Sequence, residues 1–190
     1  MRDILNLGVR LLIITVVAAF CLAITNAYTE EPIRITTENA NNEARRAVMP
    51  EAQDFEVVDI GEKNTGEFAG VLEVYRGLDA QGELTGYTLK TLSKGYGGDI
   101  EVVVGIKEDG EICGIQIGNH SETPGLGAKA TEPGFTTQFE GKSANEPLGV
   151  SKSSATADNE IQAITGATRT SKAVTDGVNI AARFINEELR

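Results

Sequence analysis

The chain has 190 residues, 41% hydrophobic and 24% charged, a composition that suits one domain of ordinary size plus an appendage and excludes a disordered tail or a coiled coil. Its 17 Lys and Arg stand against 28 Asp and Glu, a formal net charge of -11, so a broad cationic face for nucleic-acid phosphates, and with it a nucleic-acid partner, is not expected. Two cysteines, Cys21 and Cys113, and one histidine, His120, are too few for an iron–sulfur cluster or structural zinc, each of which takes about four ligands. Any redox centre must be held another way.

Residues 4–27 read ILNLGVRLLIITVVAAFCLAITNA, and between Leu11 and Ile24 nothing is more polar than Thr15 and Cys21. About 20 apolar residues cross a hydrocarbon core, so residues 1–27 read as a transmembrane anchor, with Arg10 able to snorkel to the headgroups. The rival is a cleaved signal peptide, since Thr25-Asn26-Ala27 places small residues where a peptidase could cut. A lipid anchor on Cys21 is disfavoured by the bulk of Phe20 before it. Arg2 and Arg10 flank one end and Glu30-Glu31 the other, so the positive-inside bias puts the rest outside the cytoplasm, on a single-pass cell-membrane protein. That part is acidic and should not lie flat on an anionic bilayer. Cys113 is its one thiol, which leaves no internal disulfide.

A linker is expected over residues 28–36 and a domain over 37–190. A short helix over 39–48 is stopped by Pro50. Runs with strand character follow at 55–60, 71–76, 84–92, 100–106 and 112–117, separated by turns containing Gly, Asp and Asn. Asp109-Gly110 between the last two marks a β-hairpin, and an antiparallel sheet results. Residues 118–154 are rich in Gly, Pro, Thr and Ser, with one helical stretch around 135–139. A glycine-rich segment of that length reads as a functional loop. At the end, Val174, Val178, Ala181, Ile185 and Leu189 form one stripe at steps of three and four, an amphipathic helix that packs on the sheet. The fold class is α+β: an N-terminal transmembrane helix, then a mixed, mainly antiparallel sheet domain closed by a C-terminal helix.

Several spellings fail on context. Gly125-Leu126-Gly127-Ala128-Lys129-Ala130 fits G-x-G-x-x-G/A, but it follows Pro124, and Pro133-Gly134 allows almost no helix after it. Gly141-Lys142-Ser143 ends like a P-loop, yet Thr136 stands where a glycine is required. Asn119-His120-Ser121 is a glycosylation sequon by spelling only. His120 itself reads either as a proton carrier or as a hydrogen-bonded loop histidine.

Thr165-Gly166-Ala167-Thr168-Arg169-Thr170-Ser171 precedes the last helix. The local reading is a helix start with Thr170 or Ser171 as N-cap. It leaves Thr168 over, a hydroxyl among small neighbours where free N–H groups and the helix dipole favour a phosphate, and where Arg169 and Lys172 add positive charge. The segment resembles the flavinylation motif Ser/Thr-Gly-Ala-Thr-x-Ser/Thr, whose fourth residue carries FMN through a phosphoester bond. His120-Ser121-Glu122-Thr123-Pro124-Gly125-Leu126-Gly127 resembles the H-x-E-T-P-G-L-G loop of the same family, and Gly95-Tyr96-Gly97-Gly98-Asp99-Ile100 resembles the segment before its hairpin. With the anchor, these cover most of the chain in order, and the chain resembles the G subunits of Rnf ion-translocating electron-transport complexes. One departure is Gln162, where such motifs usually carry an acidic residue.

The resemblance implies FMN joined by a phosphoester to Thr168, with Thr165, Gly166, Ala167 and Thr170 around the attachment point. Glu122, Thr123, Gly125, Leu126 and Gly127 would form a loop against the flavin. It further implies a flavin transferase for maturation, the other membrane subunits of the complex as partners, and the lipid bilayer around the N-terminal helix. The activity implied is an electron relay within a ferredoxin:NAD oxidoreductase that moves sodium ions or protons, not catalysis by this subunit alone. The alternatives are the C subunit of a sodium-translocating NADH:quinone oxidoreductase, which shares the flavinylation motif, a secreted free-standing covalent flavoprotein, and an anchored binding module without a cofactor.

Overall fold

The structure, a computed structural model, describes residues 2–153, 155 and 157–189. Met1 and Arg190, at the ends of the expected anchor and domain, and Ser154, at the end of the expected loop region, lie outside the described residues. The chain divides into two units, Met1–Asn42 and Glu43–Arg190.

The first unit is formed by helix α1, Arg2–Val48, whose end reaches into the second. Over the apolar run its side chains are exposed: Leu12, Ile14, Phe20 and Leu22 are 62–71% exposed. The helix is long and apolar enough to cross a membrane. Thr15 and Thr25 return their hydroxyls to the carbonyls of Leu11 and Cys21 at 2.7 and 2.9 Å, so these groups need no water. Residues 28–36, expected as a linker, are helical, and the short helix expected over 39–48 is the end of the same element. Pro32 removes one backbone donor without ending the helix. Around it Arg34 bridges Glu31 at 2.7 Å and Glu38 at 2.9 Å, the i,i+3 and i,i+4 pairing that supports helix on an exposed face.

In the second unit β1 (Asp54–Val57), β2 (Val71–Leu78), β3 (Leu84–Lys94), β4 (Asp99–Lys107) and β5 (Ile112–His120) form a five-stranded antiparallel meander in chain order. All the expected strands are present, β2 to β5 longer than the sequence pattern marked and β1 shorter. A short helix α2 (Pro133–Thr136) continues as a 3-10 turn, Thr137–Phe139, where a helical stretch was expected. Two strands, β6 (Gly149–Ser151) and β7 (Glu160–Gln162), pair in parallel and were not expected. Helix α3 (Thr168–Phe184) runs on into a π turn, Ile185–Leu189. Its stripe of Val174, Val178, Ala181 and Ile185 is fully buried against Leu89, Val102 and Val104 of the sheet. The result is α+β.

The other face of the sheet is covered by residues 45–52. There Gly77 pairs with Gly86, and Gly105 with Gly114. A Cβ on Gly105 would overlap the Val48 carbonyl, and one on Gly86 would come 2.9 Å from Met49 Cε. Arg45, only 8% exposed, pairs with Glu73 at 2.8 Å and lies 3.5 Å from the centroid of the Tyr75 ring. With both faces covered, the ends of the strands remain. Ser93 pairs with Ile100 and Ile100 with His120, so the β3–β4 turn and the chain leaving β5 lie at one end of the sheet.

Candidate functional site

Three segments meet at that end. The β3–β4 turn is closed by the Gly95 N–H, which donates to the Gly98 carbonyl at 2.8 Å. The chain leaving β5 passes through Ser121 to Leu126 and into a 3-10 turn, Gly127–Thr131. Helix α3 starts at Thr168, after Gly166 turns the chain with a φ of +80°, a conformation that costs glycine nothing.

Glu122 joins all three. Its side chain is buried, its Oε1 accepts the N–H groups of Tyr96 and Gly97 at 2.7 and 2.9 Å, and its Oε2 accepts the Thr170 hydroxyl at 2.6 Å. The Glu122 N–H donates to His120 Nδ1 at 3.3 Å, so His120 is a hydrogen-bonded histidine, at the last position of β5 and not in the loop. Burial by itself would raise the Glu122 carboxyl. The hydrogen bonds from Thr170, Gly97 and Tyr96 outweigh it and hold the group below the usual carboxylate range. Two glycines give this junction its closeness: a Cβ on Gly95 would overlap Glu122 Oε1, and one on Gly127 would come 2.8 Å from Thr170 Oγ1.

Beside the junction lies a cleft of about 420 Å³, lined by Tyr96, Glu122, Thr123, Leu126, Gly127, Gly166, Ala167, Arg169 and Thr170. That volume is in the range of small-molecule sites. Tyr96 and Leu126, 71% and 45% exposed, give it apolar walls, and Arg169 gives it a cation. Of the ten residues expected around the cofactor, seven line this cleft. Thr168 is not on the lining itself. It is the half-buried first residue of α3, between lining residues Ala167 and Arg169. Thr165 and Gly125 are exposed and off the lining, Gly125 with a φ of +76° in open space. Tyr96 was not singled out from the sequence. The signal was its place in Gly95-Tyr96-Gly97-Gly98, where a large exposed ring stands in a turn of minimal side chains.

Neither Thr170 nor Ser171 caps the helix. The N-cap is Ala167, whose methyl side chain makes no hydrogen bond, and Thr170 lies within the first turn with its hydroxyl given to Glu122. Ser171 Oγ accepts the Ile164 N–H at 2.9 Å and donates to the Ala167 carbonyl at 3.1 Å, bracing the preceding turn. Among the described residues, no side chain caps the first-turn N–H groups of α3. Of the three hydroxyls in that turn, Thr168 alone has no hydrogen bond among the described residues. No group of three or more His, Cys, Asp or Glu suited to a metal occurs among them either.

The class to which the cleft points is that of FMN-binding domains, and a family model of that description matches residues 95–183, which include every residue lining the cleft. The G subunit of the Na(+)-translocating ferredoxin:NAD(+) oxidoreductase complex of Acetobacterium woodii is 46% identical over 192 residues, covering 95% of this chain and 90% of that one. The G subunit of the ion-translocating oxidoreductase complex of Methanosarcina acetivorans is 33% identical over 189 residues, covering 98% and 97%. The crystal structure of the C subunit of Na(+)-translocating NADH-quinone reductase from Parabacteroides distasonis shares the fold, with a TM-score of 0.54 at 21% identity over 70% of this chain and 76% of that one. The chain belongs to the family of G subunits of Rnf-type ion-translocating ferredoxin:NAD oxidoreductase complexes.

Proposed function

We propose that the chain is the electron-transfer subunit of a membrane ion-translocating ferredoxin:NAD oxidoreductase complex, and that it carries FMN through a phosphoester to Thr168. Family membership supports the first part. The single observation that carries the second is the state of Thr168: an unbonded hydroxyl on the first residue of a 17-residue helix, next to a cleft. The residues present suit the group. Tyr96, Leu126 and Gly127 would hold the ring system, and Arg169 with the uncapped first-turn N–H groups would hold the phosphate. When bound, FMN supplies the redox chemistry that the side chains lack. The protein orients and shields: Gly166 aims the helix start, Glu122 ties the cleft walls together, and Tyr96 and Leu126 limit the access of water. The quinone-reductase alternative rests on a likeness of fold alone, whereas the relatives that match over nearly the whole chain are G subunits.

Residues 1–27 act as the bilayer anchor and 37–190 as the FMN-binding domain on the extracytoplasmic side. The exposed apolar face of α1 and the asymmetry of Arg2 and Arg10 against Glu30 and Glu31 support this. A flavin transferase installs the cofactor, and the neighbouring subunits exchange electrons with it. Denaturing electrophoresis of the membrane fraction, read for in-gel flavin fluorescence, tests the account: a fluorescent band at the size of the chain is expected, lost in Thr168→Ala. A dark wild-type band would refute covalent attachment. A fluorescent soluble form beginning at Tyr28 would refute the anchor in favour of a secreted flavoprotein.

A further inference from the structure

The two motifs at the cleft lie 48 residues apart in the chain and meet in one hydrogen bond, from the Thr170 hydroxyl to Glu122 Oε2. Thr170 is 1% exposed and Glu122 6%, so this contact is interior to the site. Its other members are the backbone N–H groups of Tyr96 and Gly97. All three donors are neutral, and no Lys or Arg pairs with Glu122 among the described residues. The carboxylate therefore keeps its charge at the cleft wall, where His120 on the adjoining strand end and Arg169 at the start of α3 are the other charged or titratable groups, with the Tyr96 phenol. Burying a carboxylate is a poor way to gain stability, since apolar packing of the same shape does as well or better. What it provides is geometry: one group that accepts from three segments at once fixes them relative to each other.

We propose that Glu122 is a positioning residue which, through Thr170, locks the first turn of α3, and with it the flavin-bearing Thr168, to the β3–β4 turn and the 121–127 loop. This rests on the reading that FMN is carried on Thr168. The cofactor then sits in a cleft of fixed shape instead of swinging on its ester tether, beside a carboxylate whose negative charge opposes its reduction. The arrangement also accounts for the choice of acceptor. A hydroxyl at Thr170 is sequestered by Glu122, and the one at Thr168 is not.

The test uses the full-length flavinylated protein in detergent, wild type and the variants Thr170→Val, Thr170→Ser and Glu122→Gln. Thr170→Val keeps volume and the Glu122 charge but removes the bond, Thr170→Ser keeps the bond, and Glu122→Gln keeps shape but removes the charge. Peptide mass is read first, then flavin fluorescence anisotropy, iodide quenching, the midpoint potential and the melting temperature. Flavin is expected on Thr168 in all four proteins. Thr170→Val should lose anisotropy and quench more readily, Thr170→Ser should restore both, and Glu122→Gln should shift the midpoint potential upward. A fall in melting temperature alone, with anisotropy, quenching and potential as in wild type, would make Glu122 a fold-stabilising residue and overturn the proposal. If Thr170→Val does not fold, an unshifted potential in Glu122→Gln overturns it by itself. Wild type without the mass increment on Thr168 is the one result that defeats the underlying reading as well.

Discussion

Glycine makes room in two regions of this domain, and different things occupy the room. On the outer face of the sheet, a Cβ at Gly105 would overlap the backbone of Val48, and one at Gly77 would come 2.9 Å from the Cβ of Ala52. The chain's own crossing segment fills that space with backbone and apolar side chains. At the cleft, the space left by Gly95 and Gly127 is filled by the Glu122 carboxylate and the Thr170 hydroxyl, next to an open side that the protein does not fill. Close packing of the first kind serves stability alone. The second kind uses the same residue type to bring polar groups together and leave a vacant volume beside them. Substitutions in the first region should therefore cost fold, and those in the second should also change how the flavin is held.

The largest effect is expected from Gly105→Val. A carbonyl in the crossing segment cannot step aside as a flexible side chain can, so the cost should be about 3 kcal/mol or more, read as a fall in the thermal midpoint. Any fraction that folds should still carry flavin. Gly127→Ala should cost about 2 kcal/mol, because its methyl group would part Thr170 from Glu122 and leave a buried acceptor short of a donor. Unlike Gly105→Val, it should raise flavin mobility in the molecules that remain folded. If both variants only lower the midpoint, the contrast between the regions is lost.

A smaller and pH-dependent effect distinguishes the polar junction further. The Glu122 carboxyl is held below its ordinary value of 4.5 in the folded state, so the unfolded chain takes up the proton first as pH falls. The stability it contributes is fully present above the unfolded value, and is lost as pH falls through the folded one. Denaturant unfolding of Glu122→Gln from neutral pH down through that range should show a flatter acid limb than wild type. An unchanged limb would mean that the carboxylate is not stabilised in the fold. The smallest effect is expected at Gly125, whose φ of +76° is unfavourable for an L residue but whose surroundings are open. Gly125→Ala should cost about 1 kcal/mol from backbone conformation alone, with flavin attachment unchanged by mass.

These contrasts follow how far the sequence could be read. The strands were legible because apolar runs bounded by Gly and Asp turns are a local signal, and so was the buried stripe of α3. The 28–36 helix was not, because Pro32 and polar residues look like a linker until the Glu31–Arg34–Glu38 pairs are placed on one face. Strands β6 and β7 have three residues each, too few to show alternation. At the site, both motifs could be seen separately, but their meeting through Glu122 and Thr170 is a tertiary contact that no spacing reveals. The N-cap was misplaced because the helix begins at Thr168, which puts Thr170 and Ser171 inside its first turn, where the Thr170 hydroxyl is free to meet Glu122 from the loop after β5.

The central claim is that the hydroxyl of Thr168, and no other, carries the flavin. Trypsin cuts after Lys152 and Arg169, which places Thr165 and Thr168 on one peptide and Thr170 on the next. Tandem mass spectrometry of the protein from flavin-transferase-competent cells should find the FMN increment on the peptide ending at Arg169, with fragment ions assigning it to Thr168. The increment on Thr165 or on the peptide beginning at Thr170, or its absence from both peptides, would contradict the account.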